Sequence, residues 1–296
     1  MATALVTGIA GFTGLHLARA LEQAGHRVVG IGVEPCPTWL PPSAHFQRDL
    51  RDAAGTAQAV RALRPDLVFH LAGASHVMGA PDALYTVNIL ATRNLLAALA
   101  ALESPPGFVL LASSANLYGN VGGILDENTP PQPRNDYAVS KLAMEYMAAL
   151  WRDTLPLTIA RPFNYTGVGQ SPTFLVPKLV AHFRERKPCI ELGNTHVVRE
   201  FNDVRDIAHC YAALATARPG YALFNICSGV GHTIADLLAT LTHLTGHSPD
   251  VRVNPTLVRD GEVHTLLGNP ARLRQAIGFA PERDVADTLR WMLEQG

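Results

Sequence analysis

Three glycines, Gly8, Gly11 and Gly14, separate an apolar run from an amphipathic stretch in LVTGIAGFTGLHLARAL. A strand that ends on glycines and opens a helix turns tightly, and it brings free N–H groups to an anion at the helix N-terminus. Few folds accommodate such a start. Downstream, apolar runs at 4–7, 27–31, 67–71, 108–113, 157–162 and 223–227 alternate with helical periodicity at 14–24, 55–63, 87–102, 137–152 and 204–217. Continuous runs such as VFHLA and FVLLA suit strands covered on both faces. The alternation predicts an α/β fold, a doubly wound parallel Rossmann sheet. Right-handed crossovers would gather the strand C-terminal ends on one edge, where ligands bind.

The rhythm breaks after Phe163. Residues 164–173 are rich in glycine, proline and polar side chains, 174–185 reads as a helix, CIELG as a strand, and 234–245 as another helix. The expected organisation is a dinucleotide-binding domain from 1–163 and 197–229, with a smaller, discontinuous lobe from 164–196 and 230–296 holding the substrate. A length of 296 residues suits two units of roughly 150 residues each.

The charge balance, 24 Lys+Arg against 25 Asp+Glu, supplies no general basic stripe for nucleic acid. No apolar run reaches the ~18 residues of a membrane span. MATALVTGIAG has no basic segment ahead of its apolar run, so no signal peptide is expected and the cytoplasm is the expected location. Cys36, Cys189, Cys210 and Cys227 form no CxxC pair, which predicts neither a disulfide framework nor a zinc site. His243 and His247 flank Gly246 and read as a helix end, so no metal is expected.

Tyr137 and Lys141 lie four apart and share a face of the predicted helix. A tyrosine near its ordinary pKa of ~10 is a poor acid–base group at neutral pH. One positive charge ~4 Å away at an effective dielectric of ~20 contributes about 4 kcal/mol, roughly three pKa units. The expectation is a Tyr137 pKa lowered by Lys141.

The GxxGxxG turn, Asp49–Leu50, HLAG at 70–73, Asn88, SSANLYG at 113–119, YAVSK at 137–141 and RPFN at 161–164 together resemble the extended short-chain dehydrogenase/reductases that modify nucleotide sugars. The resemblance implies a nicotinamide dinucleotide held by Gly8, Gly11, Phe12, Gly14, Gly32, Asp49, Leu50, Leu71, Ala72 and Gly73, with Tyr137 and Lys141 at its reactive end. It also implies Ser114, rather than Ser113, as the catalytic serine. The second strand of such sheets normally ends in an acid that binds the adenosine ribose. Here that place falls on Gly32, with Glu34 two residues on. Glycine leaves room for a 2′-phosphate, which leans towards NADP with NAD open, although Arg48 is the nearest following arginine.

The 4,6-dehydratases of this superfamily carry a carboxylate beside the catalytic Ser/Thr as the base that removes a proton next to the keto group. Ala115 and Asn116 fill those places, and an amide cannot do this work. Nor is there the cysteine that epimerase–reductases of the GDP-fucose-synthase type place at 116. Redox at C4 remains. Ser75-His76-Val77 is similar to the SHV of GDP-mannose 4,6-dehydratases, and RPFNYTGVGQ resembles the loop whose asparagine, here Asn164, holds the sugar-nucleotide diphosphate. Arg199 and Arg259 fall where the family puts arginines on the diphosphate, and Lys178 where it contacts the base. Asn116 completes the expected substrate set.

Across the chain the resemblance is closest to GDP-6-deoxy-D-mannose reductases. It implies NAD(P)H-dependent reduction of a nucleotide-linked 4-keto-6-deoxyhexose. The alternatives are a C4 epimerase that retains NAD and, more remotely, an NAD(P)-sensing regulator without enzymatic activity. It also implies a homodimer paired through helices 87–102 and 137–152.

Overall fold

The computed structural model describes residues 1–75, 81–258 and 263–295. Seven strands form the central sheet: β1 (Thr3–Thr7), β2 (Arg27–Gly32), β3 (His45–Gln47), β4 (Leu67–His70), β5 (Phe108–Ala112), β6 (Leu157–Pro162) and β7 (Ala222–Ile226). All pair in parallel, in the order β3-β2-β1-β4-β5-β6-β7. The strand order reverses between β1 and β4, so the crevice for a ligand opens beyond the ends of those two strands. The three-residue β3 carries no apolar alternation that sequence reading could use. It was not among the expected strands.

Apolar side chains cover both faces of the sheet, as its continuous hydrophobic runs require. On one face α1 (Phe12–Gln23) and α6 (Val204–Ala217) pack through Leu17, Leu21, Ile207 and Tyr211. On the other lie α2 (Ala53–Leu63), α3 (Thr92–Ala100) and α4 (Asp136–Ala148), with Leu95, Leu96, Leu99 and Met144 in the core. Ahead of α3, Thr86–Ala91 is wound as a π-helix. The whole stretch Pro81–Ala100 is long and apolar enough, by composition, to cross a membrane. Leu95, Leu96 and Leu99 instead pack on the sheet, as in a core helix.

A separate core joins α5 (Leu175–Arg184), α7 (Ile234–Thr245) and α8 (Val285–Gln295) through Leu179, Phe183, Leu237, Leu241 and Leu289. A capping box between Thr233 and Asp236 starts α7, and Gly246, at φ +65°, stops it. His247 consequently lies past the helix end, hydrogen-bonded to the Lys187 carbonyl. Two segments cross the expected domain division. Gly123–Leu125 and Val198–Arg199 both pair with Thr265–Gly268.

Candidate active site

The chain leaves β1 at Gly8, with φ +67°, and a Cβ there would stand 3.0 Å from the backbone of Ala72 beyond β4. A Cβ on Gly14 would meet the carbonyl oxygens of Gly8 and Ile9 at 2.5 Å. Gly11 is the N-cap of α1 and contributes no side-chain cap, so the helix end offers its N–H groups to an anion. Bare backbone, a helix N-terminus and the switch point of the sheet coincide here, which fits a dinucleotide pyrophosphate. Phe12 follows Gly11 as the first residue of α1. Its ring stacks on Tyr165 at 5.9 Å, Thr13 hydrogen-bonds the Tyr165 hydroxyl at 2.8 Å, and His16 bonds the Val168 carbonyl at 2.9 Å. The first turn of α1 is thereby tied to the loop after β6.

Beyond β4, the loop Leu71–Ser75 is set by a buried relay. Ala72 N–H donates to the Thr7 hydroxyl, and the Thr92 hydroxyl donates to the Asn88 carbonyl. His70 bridges the two threonines, Nδ1 to Thr7 at 2.7 Å and Nε2 to Thr92 at 2.8 Å. Thr92 has only one proton to give, so His70 Nε2 must be the donor and Nδ1 the acceptor from Thr7. Burial, with a smaller contribution from the charge on Lys141, lowers the His70 pKa to about 3. The π-turn directs Asn88 at the same loop. Its amide accepts from Ala74 N–H, and donates to the Ala74 carbonyl and to Ser140. A Cβ on Gly73 would stand 3.0 Å from Asn88 Oδ1 and 3.2 Å from Lys141 Nζ.

Ser114, at the end of β5, caps a 3₁₀ turn by accepting from Asn116 N–H. Its hydroxyl is hydrogen-bonded to that of Tyr137 on α4. Neighbouring Ser113 is engaged elsewhere, donating to Glu145 at 2.5 Å. Lys141 is buried and donates to the Ala112 carbonyl at 2.8 Å, with Nζ 6.0 Å from the Tyr137 ring centre. The expected lowering of the Tyr137 pKa is not found. Burial raises it to about 12 against a smaller opposing effect of the Ser114 hydrogen bond. Lys141 itself is lowered to about 8, again by burial, against the opposing charge of Glu145. Loss of solvent outweighs the mutual stabilisation that spacing alone suggests.

Asp49 is drawn to Arg51, which holds its carboxyl below the usual range. The buried Leu50 gives its carbonyl to Asn94. Asn116 and Asn164 are exposed, and Ser75 is half-buried. Lys178 donates to the Glu191 carbonyl at 3.0 Å. Arg199 donates to the carbonyls of Val198, Val263 and His264. His76 and Arg259 lie outside the described residues. Among the described residues no group of three or more metal-ligating side chains occurs.

The model of the GDP-mannose 4,6-dehydratase family matches residues 5–292. The chain belongs to that family. Similar proteins include GDP-6-deoxy-D-talose 4-dehydrogenase of Aggregatibacter actinomycetemcomitans, 32% identical over 93% of this chain and 90% of that one. GDP-6-deoxy-D-mannose reductase of Pseudomonas aeruginosa is 33% identical, over 97% and 95%. Among solved structures, a Burkholderia cenocepacia protein provisionally named an epimerase superposes with a TM-score of 0.94 at 48% identity, covering 99% and 97%. RMD from Pseudomonas aeruginosa, complexed with NADPH, superposes at 0.84 with 31% identity, covering 100% and 99%.

Beneath the reactive groups of this family member lies a charged network that motif reading overlooked. Arg161, on β6, makes a bidentate pair with Glu145 on α4 at 2.9 and 2.6 Å, and donates to Tyr118 at 3.0 Å. Tyr118 passes its proton towards Asn225 on β7. Burial acts to lower the Arg161 pKa, but Glu145 outweighs it and holds the guanidinium above its usual value. A second buried carboxylate, Glu200, accepts from Gly268 N–H, Ser228 N–H and the Asn202 amide. One signal was available in the sequence: Arg161 is a charge within an otherwise apolar buried strand, and such a charge requires a partner.

Proposed function

We propose that the protein is an NAD(P)H-dependent reductase of the C4 keto group of a nucleotide-linked 4-keto-6-deoxyhexose. The substrate of this reading is GDP-4-keto-6-deoxy-D-mannose, and the product GDP-D-rhamnose or its C4 epimer. The observation that carries it is the hydrogen-bonded Ser114–Tyr137 pair, with Tyr137 protonated up to about pH 12. A tyrosine in that state carries its proton throughout the neutral range, as the donor in a reduction must, while holding it more tightly than a free phenol does. When bound, a reduced nicotinamide supplies the hydride. Ser114 Oγ orients the carbonyl oxygen and stabilises it as charge develops. Tyr137 Oη then gives its proton to that oxygen. Lys141, charged below about pH 8, stabilises the phenolate left behind. Asn116 supplies no base for proton removal beside the keto group, which sets the reading apart from dehydration.

The relatives at 32% and 33% identity, by name a dehydrogenase and a reductase of GDP-6-deoxyhexoses, support this substrate class. In this reading residues 1–163 and 197–229 hold the dinucleotide, and 164–196 with 230–296 the nucleotide sugar. Asn164, Arg199 and Arg259 serve the diphosphate, Lys178 the base, and Ser75 and His76 the sugar. Gly32 taken alone favours NADP. Homodimerisation is part of the proposal, because Leu90 ahead of α3, Val139 and Tyr146 along α4, and Leu150 just past the end of α4 are exposed apolar side chains.

Supplied with GDP-4-keto-6-deoxy-D-mannose and NADH or NADPH, the protein is expected to consume the nicotinamide absorbance. Tyr137→Phe is expected to abolish turnover while retaining sugar-nucleotide binding. An isomerised sugar with no consumption and copurifying NAD would replace the reading with a C4 epimerase.

A further inference from the structure

Where dinucleotide-binding sheets place an acid on the adenosine ribose, β2 ends in Gly32, which has no side chain to offer. The space is nonetheless filled. A Cβ on Gly32 would stand 2.9 Å from Glu34 Oε2 and 4.0 Å from His45 Nε2. Glu34 follows Gly32 by two residues, and its carboxylate folds back over the glycine. His45 comes from β3, where the register Gly30↔His45 and Gly32↔Gln47 puts its side chain on the same sheet face as Gly32. Its Nε2 is buried without a hydrogen-bond partner. Burial lowers the His45 pKa against the opposing charge of Glu34, so the imidazole is mainly neutral at pH 7.

Arg48 is much nearer to Gly32 than sequence distance suggests, since its amide donates to the Gly32 carbonyl at 2.8 Å. Its side chain, however, runs to the opposite face. Arg48 Cδ would lie 3.7 Å from a Cβ on Gly55 in α2, and Nη1 donates to the Gln47 carbonyl at 3.0 Å. A 2′-phosphate at the end of β2 would therefore face a carboxylate and a neutral ring, with the Arg48 guanidinium turned away. A ribose diol would find in the same place an acceptor for its hydroxyls and an unused ring nitrogen.

We infer that Glu34, with His45 beside it, binds the free 2′,3′-diol of the adenosine ribose and selects NAD(H) over NADP(H). The inference rests on the reading that the glycine turn holds a nicotinamide dinucleotide, and it reverses the lean towards NADP drawn from Gly32 alone.

The test titrates NADH and NADPH separately into the whole protein, following nicotinamide fluorescence, for wild type, Glu34→Ala and Arg48→Ala. Glu34 and Arg48 are exposed, so neither substitution removes core packing. Wild type is expected to bind NADH at least about tenfold more tightly, given a carboxylate set against a phosphate in a partly desolvated site. Glu34→Ala is expected to narrow that ratio, chiefly by strengthening NADPH, and Arg48→Ala to leave it unchanged. Equal or tighter NADPH binding by wild type would overturn the assignment, as would a ratio indifferent to Glu34 or a loss of NADPH binding confined to Arg48→Ala. Binding of neither dinucleotide would overturn the cofactor reading together with it, a result distinct from a wrong preference.

Discussion

Acidification should weaken the fold through His70. The folded protein keeps its imidazole neutral down to about pH 3, whereas the unfolded ring takes up a proton through pH 6.5. Between those values the unfolded state binds more protons, so stability falls as the pH falls. At about pH 5 the loss from this one group comes to about 2 kcal/mol, and to about 4 kcal/mol by pH 3. The cause is geometric. A proton on Nδ1 would confront the Thr7 hydroxyl with a donor where it now has an acceptor, in a site closed to water. Carboxylates also titrate in this range, so the contribution is isolated by comparison with His70→Asn, which keeps a donor and an acceptor but does not ionise. Urea unfolding of both proteins at about pH 7.5 and about pH 5 should show wild type losing about 2 kcal/mol more than the variant. Equal losses would refute the relay as drawn, and with it the Nε2–H tautomer.

Three further outcomes follow from the site. Gly14→Ala sets a methyl group 2.5 Å from two backbone carbonyl oxygens, so a stability loss of about 2–3 kcal/mol is expected in thermal unfolding, with weakened dinucleotide binding in titration. Glu145→Ala leaves the buried Arg161 without its bidentate partner and should cost roughly 3–5 kcal/mol, read from chemical unfolding; a wild-type midpoint would contradict the network. Turnover should fall as the pH rises through about 8, where Lys141 loses its charge. A rate profile flat across that pH would remove Lys141 from the proton step, since Tyr137 at about 12 cannot account for a limb there.

The parallel sheet was legible because apolar runs and glycine turns are local signals. Phe108–Ala112 and Leu157–Pro162 announce buried strands by composition alone. The pairing of Ser114 with Tyr137 was legible by motif. Their ionisation was not, because the helical spacing of Tyr137 and Lys141 conveys proximity but says nothing of how thoroughly water is excluded from both. Arg48 shows the same gap. Sixteen residues separate it from Gly32, and the short strand β3 brings their backbones into contact while the pleat turns their side chains apart. The tautomer of His70 depends on protons held by Thr7 and Thr92, and residues so far apart in the chain leave no pattern for a reader of the sequence.

The π-turn at Thr86–Ala91 makes chain length itself critical at one point. A wider turn carries one residue more than regular α-helical winding would need. Deleting a single residue there would let the segment close into an unbroken α-helix, with better local hydrogen bonding. Side chains on one side of the repair would then rotate by about 100° relative to those on the other, and Asn88 and Thr92 could no longer meet both the Ala74 loop and His70. Such a deletion would improve the helix as a helix and take the site apart. Single-residue length variation should accordingly be tolerated in the surface turns around α2, yet eliminated between Tyr85 and Thr92.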